Sequence, residues 1–290
     1  MQNDISPVTG HYVDVEVGGD TYEVFFLENG KGIPLLCQHT AGAHNHQYRN
    51  LLRDPEVTKN FRVIAYDLPY HGKSDPPHGK EWWKEQYDLT SGFFQEFVLN
   101  FSEALELERP VFMGSSMGGV LCLYLVRNHP ERFRALIALE AADYTPGFYL
   151  DWWAHPHVND GELASSVVEG LMAPQTPELD RRLTMWYYSQ AAPGVLKGDL
   201  YFYSVEHDMR ETVGEIDTSK VSLYMLTGEY DYLSTPAQTE ATARKIPDVQ
   251  AQTMHEIGHF PMSESHETFM GYMRPILEEI RSEKRVSESV

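Results

Sequence analysis

The stretch VFMGSSMGGV at positions 111–120 decides the fold of this chain. Its apolar beginning predicts a buried strand, and a helical pattern follows over positions 120–128. Gly114 and Gly118 flank Ser116, so the turn between strand and helix reads Gly-x-Ser-x-Gly. Such a turn brings neighbouring backbone close to the serine, and we expect a β-carbon at either glycine to collide with it. The pattern predicts a strand–turn–helix unit that presents Ser116 at a helix N-terminus, where free N–H groups favour negative charge.

Alternating strand and helix patterns extend over most of the remaining chain. A hairpin is predicted over positions 12–27, and Thr90 is the expected N-cap of a helix that ends near position 107. Apolar runs predict further strands at 33–38, 61–66, 133–139, 221–227 and 249–254, and helices are predicted at 48–52, 236–245 and 267–281. This order predicts an α/β fold with a mostly parallel central sheet and helices on both faces.

One segment rich in aromatic residues and proline, positions 143–217, interrupts this alternation. We therefore divide the chain into an α/β core at 1–142 and 218–290 and a helical cap insertion at 143–217. Ligands of α/β sheets bind beyond the carboxyl ends of the strands, and we expect the cap to cover that edge. Trp152, Trp153, Trp186 and Tyr187 are the cap residues that we assign to an apolar substrate pocket.

Composition excludes several classes of partner. A net charge of −20 over 290 residues repels nucleic acid and anionic membrane surfaces, so neither is expected as a partner. No apolar run is long enough to span a membrane and positions 1–10 hold no apolar signal segment, so we expect a cytoplasmic protein. Cys37 and Cys122 are expected to be buried free thiols, as in a reducing compartment. His155 and His157 lack a carboxylate or cysteine at ligand spacing, so we expect no metal and no cofactor.

A serine hydroxyl becomes a good nucleophile only when a base removes its proton and an acid orients that base. Both partners should follow later strands of the sheet. Asp231 lies in a turn after the strand at 221–227, and His259 lies in a loop after the strand at 249–254. The order Ser116, Asp231, His259 is the nucleophile–acid–base order of one fold and differs from two unrelated serine-protease orders. We assign these three residues to catalysis.

Other residues are alternatives for the acid and the base. Asp231 could serve only to stabilise its turn or to cap the following helix, and Glu229 is then the neighbouring acid. Glu140 and Asp143, which follow the strand at 133–139, form a second candidate acid site. His255 lies nearer to the end of the last strand than His259 does and is the alternative base.

The oxyanion that forms during acyl attack needs two backbone N–H donors. Met117 directly follows the nucleophile and is expected to supply the first donor. The small-residue loop at 39–42 follows the strand at 33–38, and Ala41 is the expected second donor. Its small residues let the backbone approach a reacting carbonyl, and Thr40 adds a hydroxyl to the pocket.

Taken together, these motifs resemble the α/β-hydrolase fold superfamily in its serine-nucleophile, esterase-like branch. The matching segments are HTAG at 39–42, DLPYHGKS at 67–74, GSSMGG at 114–119, GEYD at 228–231 and GHFP at 258–261. One departure is Thr40, because the oxyanion loop of the family usually reads His-Gly. The resemblance implies a serine hydrolase that cleaves a small or medium carboxylic ester, neutral or apolar, through an acyl-enzyme.

Relatives within that superfamily define the alternative functions. Haloalkane dehalogenases and epoxide hydrolases resemble it but carry aspartate at the elbow, so Ser116 argues against both. Meta-cleavage carbon–carbon hydrolases share the triad, but they typically carry Asn before the nucleophile and Trp after the histidine, where this chain has Ser115 and Phe260. Lactonase and thioesterase activities are variants of the same chemistry. A ligand receptor on the same fold is the non-enzymatic alternative, and a homodimer through the aromatic cap stays open.

Overall fold

One sheet of eight strands forms the centre of the part of the chain that the computed structural model describes, residues 6–87 and 89–283. The strands are β1 (Thr9–Val17), β2 (Asp20–Gly30), β3 (Ile33–Gln38), β4 (Phe61–Tyr66), β5 (Val111–Ser115), β6 (Ala135–Leu139), β7 (Ser222–Gly228) and β8 (Gln250–Met254). Their order in the sheet is β1-β2-β4-β3-β5-β6-β7-β8. β1 and β2 form the predicted hairpin, β2 also runs antiparallel to β4, and the pairs from β4 to β8 are parallel. The predicted mostly parallel α/β sheet is confirmed.

Helices cover both faces of this sheet. The α-helices are α1 (Pro55–Thr58), α2 (Ser91–Ala104), α3 (Met117–Asn128), α4 (Asp160–Glu169), α5 (Glu178–Ser189), α6 (Val195–Tyr201), α7 (Pro236–Ala243), α8 (Pro261–Glu264) and α9 (His266–Ser282). Short 3₁₀ turns cover Asn45–Tyr48, Leu51–Arg53, Trp82–Lys84, Pro130–Arg132, Asp151–Ala154 and Val213–Glu215, and a π-helix covers Phe202–Glu206. Thr90 caps α2 as predicted, because its side chain accepts a hydrogen bond from the Phe93 N–H. None of the helices in the described residues is both long and apolar enough to cross a membrane.

The helix predicted at 48–52 is instead two separate 3₁₀ turns followed by the short α1. Pro55 accounts only for the separation of the second 3₁₀ turn from α1, since the residue before a proline is pushed out of the helical region. Asp54 is extended at φ −74° and ψ 111°, and its side chain caps α1 by accepting from Glu56 N. The apolar spacing of this segment therefore reflects packing of Leu51 and Leu52 rather than a continuous helix.

Two apolar layers bury the middle strands. Every residue of β5 and of β6 is buried, as expected for parallel strands covered on both faces. One layer packs α2 and α3 against the sheet through side chains such as Phe97 and Phe101. The other layer includes the apolar stripe of α9, with Phe269 and Met273 fully buried. Cys37 and Cys122 are buried free thiols, in agreement with the prediction.

The chain between β6 and β7 holds α4, α5, α6 and the π-helix. α4 packs against α5, and α5 also contacts α8 of the core. Hydrogen bonds join this insertion to the loop that carries His259: the His259 N–H donates to Leu171 O over 2.9 Å. The division into core and cap at 143 and 217 stays a prediction.

Candidate active site

The turn between β5 and α3 holds Ser116 in a backbone conformation that side chains rarely adopt, with φ 56° and ψ −114°. Such a conformation costs free energy, and it persists only where surrounding contacts impose it. The Ser116 N–H donates to Leu139 O over 2.9 Å, which fixes the turn against β6. The side chain is 4% exposed. The predicted strand–turn–helix unit is therefore present, with Ser116 at the N-terminus of α3.

Close backbone contacts explain two of the three glycines around Ser116. A β-carbon at Gly114 would lie 2.2 Å from Gly118 O, and one at Gly119 would lie 2.1 Å from Leu139 O. Both positions therefore exclude any side chain. A β-carbon at Gly118 would lie 3.1 Å from Gln38 O, which is tight but is not the collision that the sequence pattern predicted. The steric requirement instead falls on Gly119, where the elbow packs against β6.

His259 and Asp231 form a buried hydrogen-bonded pair beyond the carboxyl ends of β8 and β7. His259 Nδ1 lies 2.8 Å from Asp231 Oδ2, and the two side chains are 3% and 0% exposed. Asp231 Oδ1 accepts from Leu233 N over 2.8 Å and from Ser234 N over 3.3 Å. Burial would raise the pKa of Asp231, but His259 and these hydrogen bonds hold it below its ordinary value. The carboxylate is thus suited to orient the imidazole and to stabilise its charged form.

Tyr203, on the π-helix, contacts both Ser116 and the loop that carries Asp231. Its hydroxyl lies 3.0 Å from Ser234 Oγ and also contacts the Ser116 side chain. π-helical segments frequently occur at functional sites because they re-aim one side chain. The role of Tyr203 was not predicted from the sequence, since no pattern distinguishes it from the other aromatic residues of the insertion.

Glu140 lies behind Asp231 and belongs to the same buried cluster. Both of its carboxyl oxygens lie 3.0 Å from the Gly228 N–H, which donates to them. Ligand atoms of Glu140, Asp231 and His259 all lie within 4.8 Å of one another. Burial and the neighbouring Asp231 carboxylate raise the pKa of Glu140 well above its ordinary value, which favours the protonated form, and in that form Glu140 can donate to Asp231. From the sequence, Glu140 was predicted only as an alternative acid.

Glu264 on α8 fixes the loop that carries His259. One carboxylate oxygen accepts from Gly258 N over 2.9 Å and from Phe260 N over 2.8 Å, on both sides of His259. The other oxygen accepts from Ala173 N over 2.8 Å, in the insertion. Burial raises the pKa of Glu264, and these donors counteract part of that effect. No local sequence pattern predicts this role of Glu264, because its donors are brought to it only when the chain folds.

The other candidates for the catalytic acid and base form ion pairs that do not include Ser116, Asp231 or His259. Asp143 Oδ2 is 2.6 Å from Lys245 Nζ. Glu229 Oε2 accepts from Glu256 N and lies 3.5 Å from His255 Nδ1, and the His255 side chain is 73% exposed. These contacts tie Glu229 and His255 to each other rather than to Ser116.

The loop after β3 holds Ala41, the predicted second oxyanion donor. The Thr40 N–H donates to Gln47 Oε1 over 2.9 Å, and the Gly42 N–H donates to Asp199 Oδ2 over 2.8 Å. Between them, the Ala41 N–H has no acceptor among the described residues, and the same holds for the Met117 N–H. Both predicted oxyanion donors are therefore available. The Thr40 hydroxyl is occupied by Tyr188 and Gln47.

The aromatic residues assigned to a substrate pocket occupy different places. Trp152 and Trp186 are 56% and 57% exposed. Trp153 is buried, and its indole N–H donates to Phe148 O over 2.9 Å within the insertion. Tyr187 is buried edge-on against His44, with ring centroids 5.1 Å apart. None of these contacts joins the four residues to the triad, and their role in substrate binding stays a prediction.

Comparison with known proteins gives the class. A family model described as alpha/beta hydrolase fold matches residues 33–265, which is most of the chain. The chain therefore belongs to the α/β-hydrolase family, and the resemblance inferred from its motifs is confirmed.

Individual relatives are more distant. A 2-hydroxymuconate semialdehyde hydrolase of Pseudomonas sp. (strain CF600) is 30% identical over 134 residues, which cover 44% of this chain and 45% of that relative. The chain thus spans about half the length of the curated relative it matches. A thermophilic esterase from Thermogutta terrifontis has a TM-score of 0.72 at 18% identity, over 94% of this chain and 100% of that one. An enol-lactonase from Burkholderia xenovorans LB400 has a TM-score of 0.75 at 18% identity, over 93% and 100%. At such identities the two structures show a shared fold alone.

Proposed function

We propose that this protein is a serine hydrolase that cleaves a small or medium carboxylic ester through an acyl-enzyme. The observation that carries the proposal is the buried pair of His259 and Asp231, held at the same edge of the sheet as the strained Ser116 turn. A buried imidazole with a carboxylate on one nitrogen has its other nitrogen available as a general base. A neutral or apolar substrate suits the apolar residues around the site, such as Phe260, and the acidic chain.

The reaction begins when Ser116 Oγ attacks the ester carbonyl while His259 Nε2 takes the serine proton. The tetrahedral oxyanion accepts hydrogen bonds from the N–H groups of Ala41 and Met117. When the carbon–oxygen bond breaks, the proton on His259 passes to the leaving alkoxide, which departs as an alcohol. Water then attacks the acyl-enzyme, gives its proton to His259, and the acid is released as Ser116 recovers its proton.

Carbon–carbon hydrolysis of the meta-cleavage type is the second candidate. The curated relative from Pseudomonas sp. (strain CF600) is named as a 2-hydroxymuconate semialdehyde hydrolase, and this favours a related substrate here. Ser115 and Phe260 occupy the positions where such enzymes typically carry Asn and Trp. We therefore rank ester hydrolysis first. Lactone or thioester cleavage would use the same residues in the same roles.

The test combines active-site labelling with a substrate panel. A fluorophosphonate should label the purified protein on Ser116, and the Ser116→Ala variant should not react. p-Nitrophenyl esters, lactones, thioesters and vinylogous diketones then separate the candidate substrates. Multiple turnovers on an ester support the proposal, whereas one near-stoichiometric turnover indicates a receptor. Cleavage of the diketone alone would replace the first candidate by the second, and labelling of the Ser116→Ala variant would refute the assigned nucleophile.

The proposal also covers the cellular location and the partners of the enzyme. Two buried free thiols, Cys37 and Cys122, suit a reducing compartment, and a cytoplasmic location is our working assumption. The net charge of −20 disfavours nucleic acid and anionic membranes as partners. Fractionation of cells that express the full chain tests the location.

A further inference from the structure

A second buried cluster lies beside the oxyanion loop and is not used in the reaction above. Its centre is Asp199 on α6, in the insertion, and its partner is His71 in the loop after β4. His71 Nε2 lies 2.8 Å from Asp199 Oδ2, and the two side chains are 1% and 0% exposed. The other carboxylate oxygen accepts from the Tyr87 hydroxyl over 3.1 Å. An ion pair with so little exposure is costly unless both charges are fully hydrogen-bonded.

Hydrogen-bond partners show that His71 is an imidazolium cation. Its Nδ1 lies 2.9 Å from Pro69 O, and its Nε2 faces the Asp199 carboxylate. A carbonyl and an ionised carboxylate can only accept, so with Asp199 ionised both ring nitrogens carry a proton. Burial alone would lower the pKa of His71, but Asp199 and the carbonyl of Pro69 raise it above its ordinary value.

The neighbouring His39 differs from His71 in its hydrogen-bond partners. Its Nδ1 lies 2.8 Å from Thr40 O, while its Nε2 accepts from the Leu68 N–H over 3.1 Å. One nitrogen donates and the other accepts, so this ring is neutral. Burial lowers the pKa of His39 well below its ordinary value, and the charge on His71 acts in the same direction. The titratable groups around His71 are Asp199 from α6, Asp67 after β4, His39 and His44 from the loop after β3, and Tyr87 before α2.

Asp199 also fixes the backbone of the oxyanion loop. Its Oδ2 accepts from the Gly42 N–H over 2.8 Å, one residue after Ala41. Gly42 has φ 67°, and a β-carbon there would lie 2.9 Å from the Leu196 side chain of the same helix α6. On the other side of Ala41, the Thr40 N–H is held by Gln47. The Thr40–Ala41 peptide group, which carries the Ala41 N–H, thus lies between two fixed peptide groups, one held by the core and one by the insertion.

We propose that Asp199 is a positioning residue that the insertion supplies to aim the Ala41 N–H at the oxyanion, with His71 as its counter-ion. A bare carboxylate beside an oxyanion hole would oppose the negative charge that develops there. The His71 cation cancels that charge, so Asp199 can hold the loop without this penalty. The inference rests on the proposed acyl-enzyme mechanism. If Asp199 has this role, the oxyanion hole is complete only while α6 lies over the loop.

Asp199→Asn tests the role of the charge with nearly the same shape. A neutral amide oxygen accepts a weaker hydrogen bond from the Gly42 N–H than a carboxylate does, and the charge that keeps His71 protonated is also lost, so the loop is held less firmly. We expect kcat for a p-nitrophenyl ester to fall about 10- to 100-fold, less than the loss of a whole oxyanion donor, while KM changes by less than about threefold. The affinity for a trifluoromethyl ketone, which forms an oxyanion on Ser116, should fall by the same factor as kcat/KM.

Asp180→Asn is the matched control. Asp180 on α5 is another acid of the insertion, and it pairs with Arg49 of the core. The pair touches neither the oxyanion loop nor the triad, so its loss should leave kcat and the affinity for the ketone unchanged. If Asp199→Asn folds and keeps wild-type kcat and ketone affinity, or raises only KM, the proposal is overturned.

A measurement on the unmodified enzyme covers the case in which Asp199→Asn does not fold. Nitrogen-15 NMR of labelled histidine side chains should show that His71 is mostly protonated on both nitrogens near pH 6.5, where an ordinary histidine is about half protonated. The Ala41 amide resonance should shift together with the His71 ring as that ring loses its proton at higher pH. A His71 that is mostly neutral near pH 6.5, or an Ala41 amide whose resonance does not follow the titration of His71, overturns the inference. Fluorophosphonate labelling of Ser116 in the same sample reports separately whether the proposed hydrolase function itself holds.

Discussion

Glu140 and Asp231 place two carboxyl groups side by side in a pocket that is closed to water. Two buried carboxylates so close together cannot both be ionised, and they titrate as a pair that shares one proton. The proton belongs on Glu140, because His259 and two backbone N–H groups stabilise the charge on Asp231. Glu140 then donates to Asp231 while it accepts from the Gly228 N–H. A neutral acid thus supports the charged one.

Replacement of Glu140 tests this assignment at a single residue. Glutamine is neutral, donates through its amide N–H and accepts through its oxygen, so we predict that Glu140→Gln keeps kcat/KM close to wild type. Glu140→Leu leaves the Gly228 N–H without a partner, which should cost about 1–3 kcal/mol of unfolding free energy and lower kcat. Steady-state kinetics and urea unfolding give both quantities. A Glu140→Gln variant as impaired as Glu140→Leu would mean that Glu140 acts as a charged group.

Asp231→Asn separates the assigned acid from the alternative at Asp143. The amide oxygen stays on the Leu233 and Ser234 N–H groups, so the amide NH2 faces His259 Nδ1 and donates to it, which imposes the wrong tautomer. Comparable triad substitutions reduce kcat about 10⁴-fold. We predict a loss of that order with little change in KM. Asp143→Asn is the control: it removes only the pair with Lys245 and should keep full activity. Equal losses in the two variants would contradict the assignment.

At the scale of the element, the junction of β5, β6 and α3 depends on close backbone packing. A β-carbon at Gly119 would meet Leu139 O, the same carbonyl that accepts from the Ser116 N–H. We predict that Gly119→Ala lowers the free energy of unfolding by more than about 2 kcal/mol and also reduces activity, because the elbow must shift. Urea unfolding monitored by circular dichroism measures the first effect, and ester hydrolysis measures the second.

For Gly271→Ala, in another helix, we predict a gain in stability instead of a loss. Gly271 lies inside α9, and a β-carbon there would meet nothing within 4 Å. Alanine at an open helix position should raise the free energy of unfolding by about 0.5–1 kcal/mol and leave activity unchanged. If both variants lost the same stability, backbone contact at Gly119 would not be the cause.

Local patterns explain why these elements could be predicted from the sequence. The strands predicted at 33–38 and 61–66 match β3 and β4 residue for residue, because a continuous apolar run bounded by polar loops has few other solutions. The helix predicted at 48–52 was wrong: the backbone stays helical at Arg49 and Asn50 but forms two 3₁₀ turns, and apolar spacing alone does not distinguish these from an α-helix. The collision predicted at Gly118 falls on Gly119, which depends on the placement of the neighbouring strand β6.

At the scale of the whole molecule, the site depends on contacts between distant segments that no local pattern contains. Asp199 meets Gly42 across 157 positions, and Glu264 meets Ala173 across 91 positions. Ser116, Asp231 and His259 were identifiable because each belongs to a short motif with its own neighbours. His71 lies in such a motif, DLPYHGKS at 67–74, but its charge follows only from partners that folding brings together.

Buried histidines set the stability of the whole molecule on the acid side. Burial lowers the pKa of His44 and of His207 to about 4, whereas both titrate near 6.5 in an unfolded chain. The unfolded state therefore binds more protons in this window, and their contribution to stability rises with pH until it is complete above about 6.5. Asp67, whose pKa burial raises to about 6, and Glu264 act with the opposite sign in the same window. His39, whose pKa is also lowered, adds to the rise, so these acids offset only part of it.

Above that window the remaining buried groups all weaken the fold as pH rises. Glu140 keeps its proton in the folded chain after the unfolded chain has released it, so its contribution falls up to its raised folded pKa. His71 contributes stability that is complete below its unfolded pKa and is lost as pH rises through its higher folded pKa. We predict that the free energy of unfolding, measured by urea titration, falls between about pH 6.5 and pH 8.5. Glu140→Gln should make that fall shallower, because the variant lacks the titrating carboxyl group. A stability that rises over this range, or an unchanged slope in Glu140→Gln, would show that Glu140 is already ionised in the folded protein.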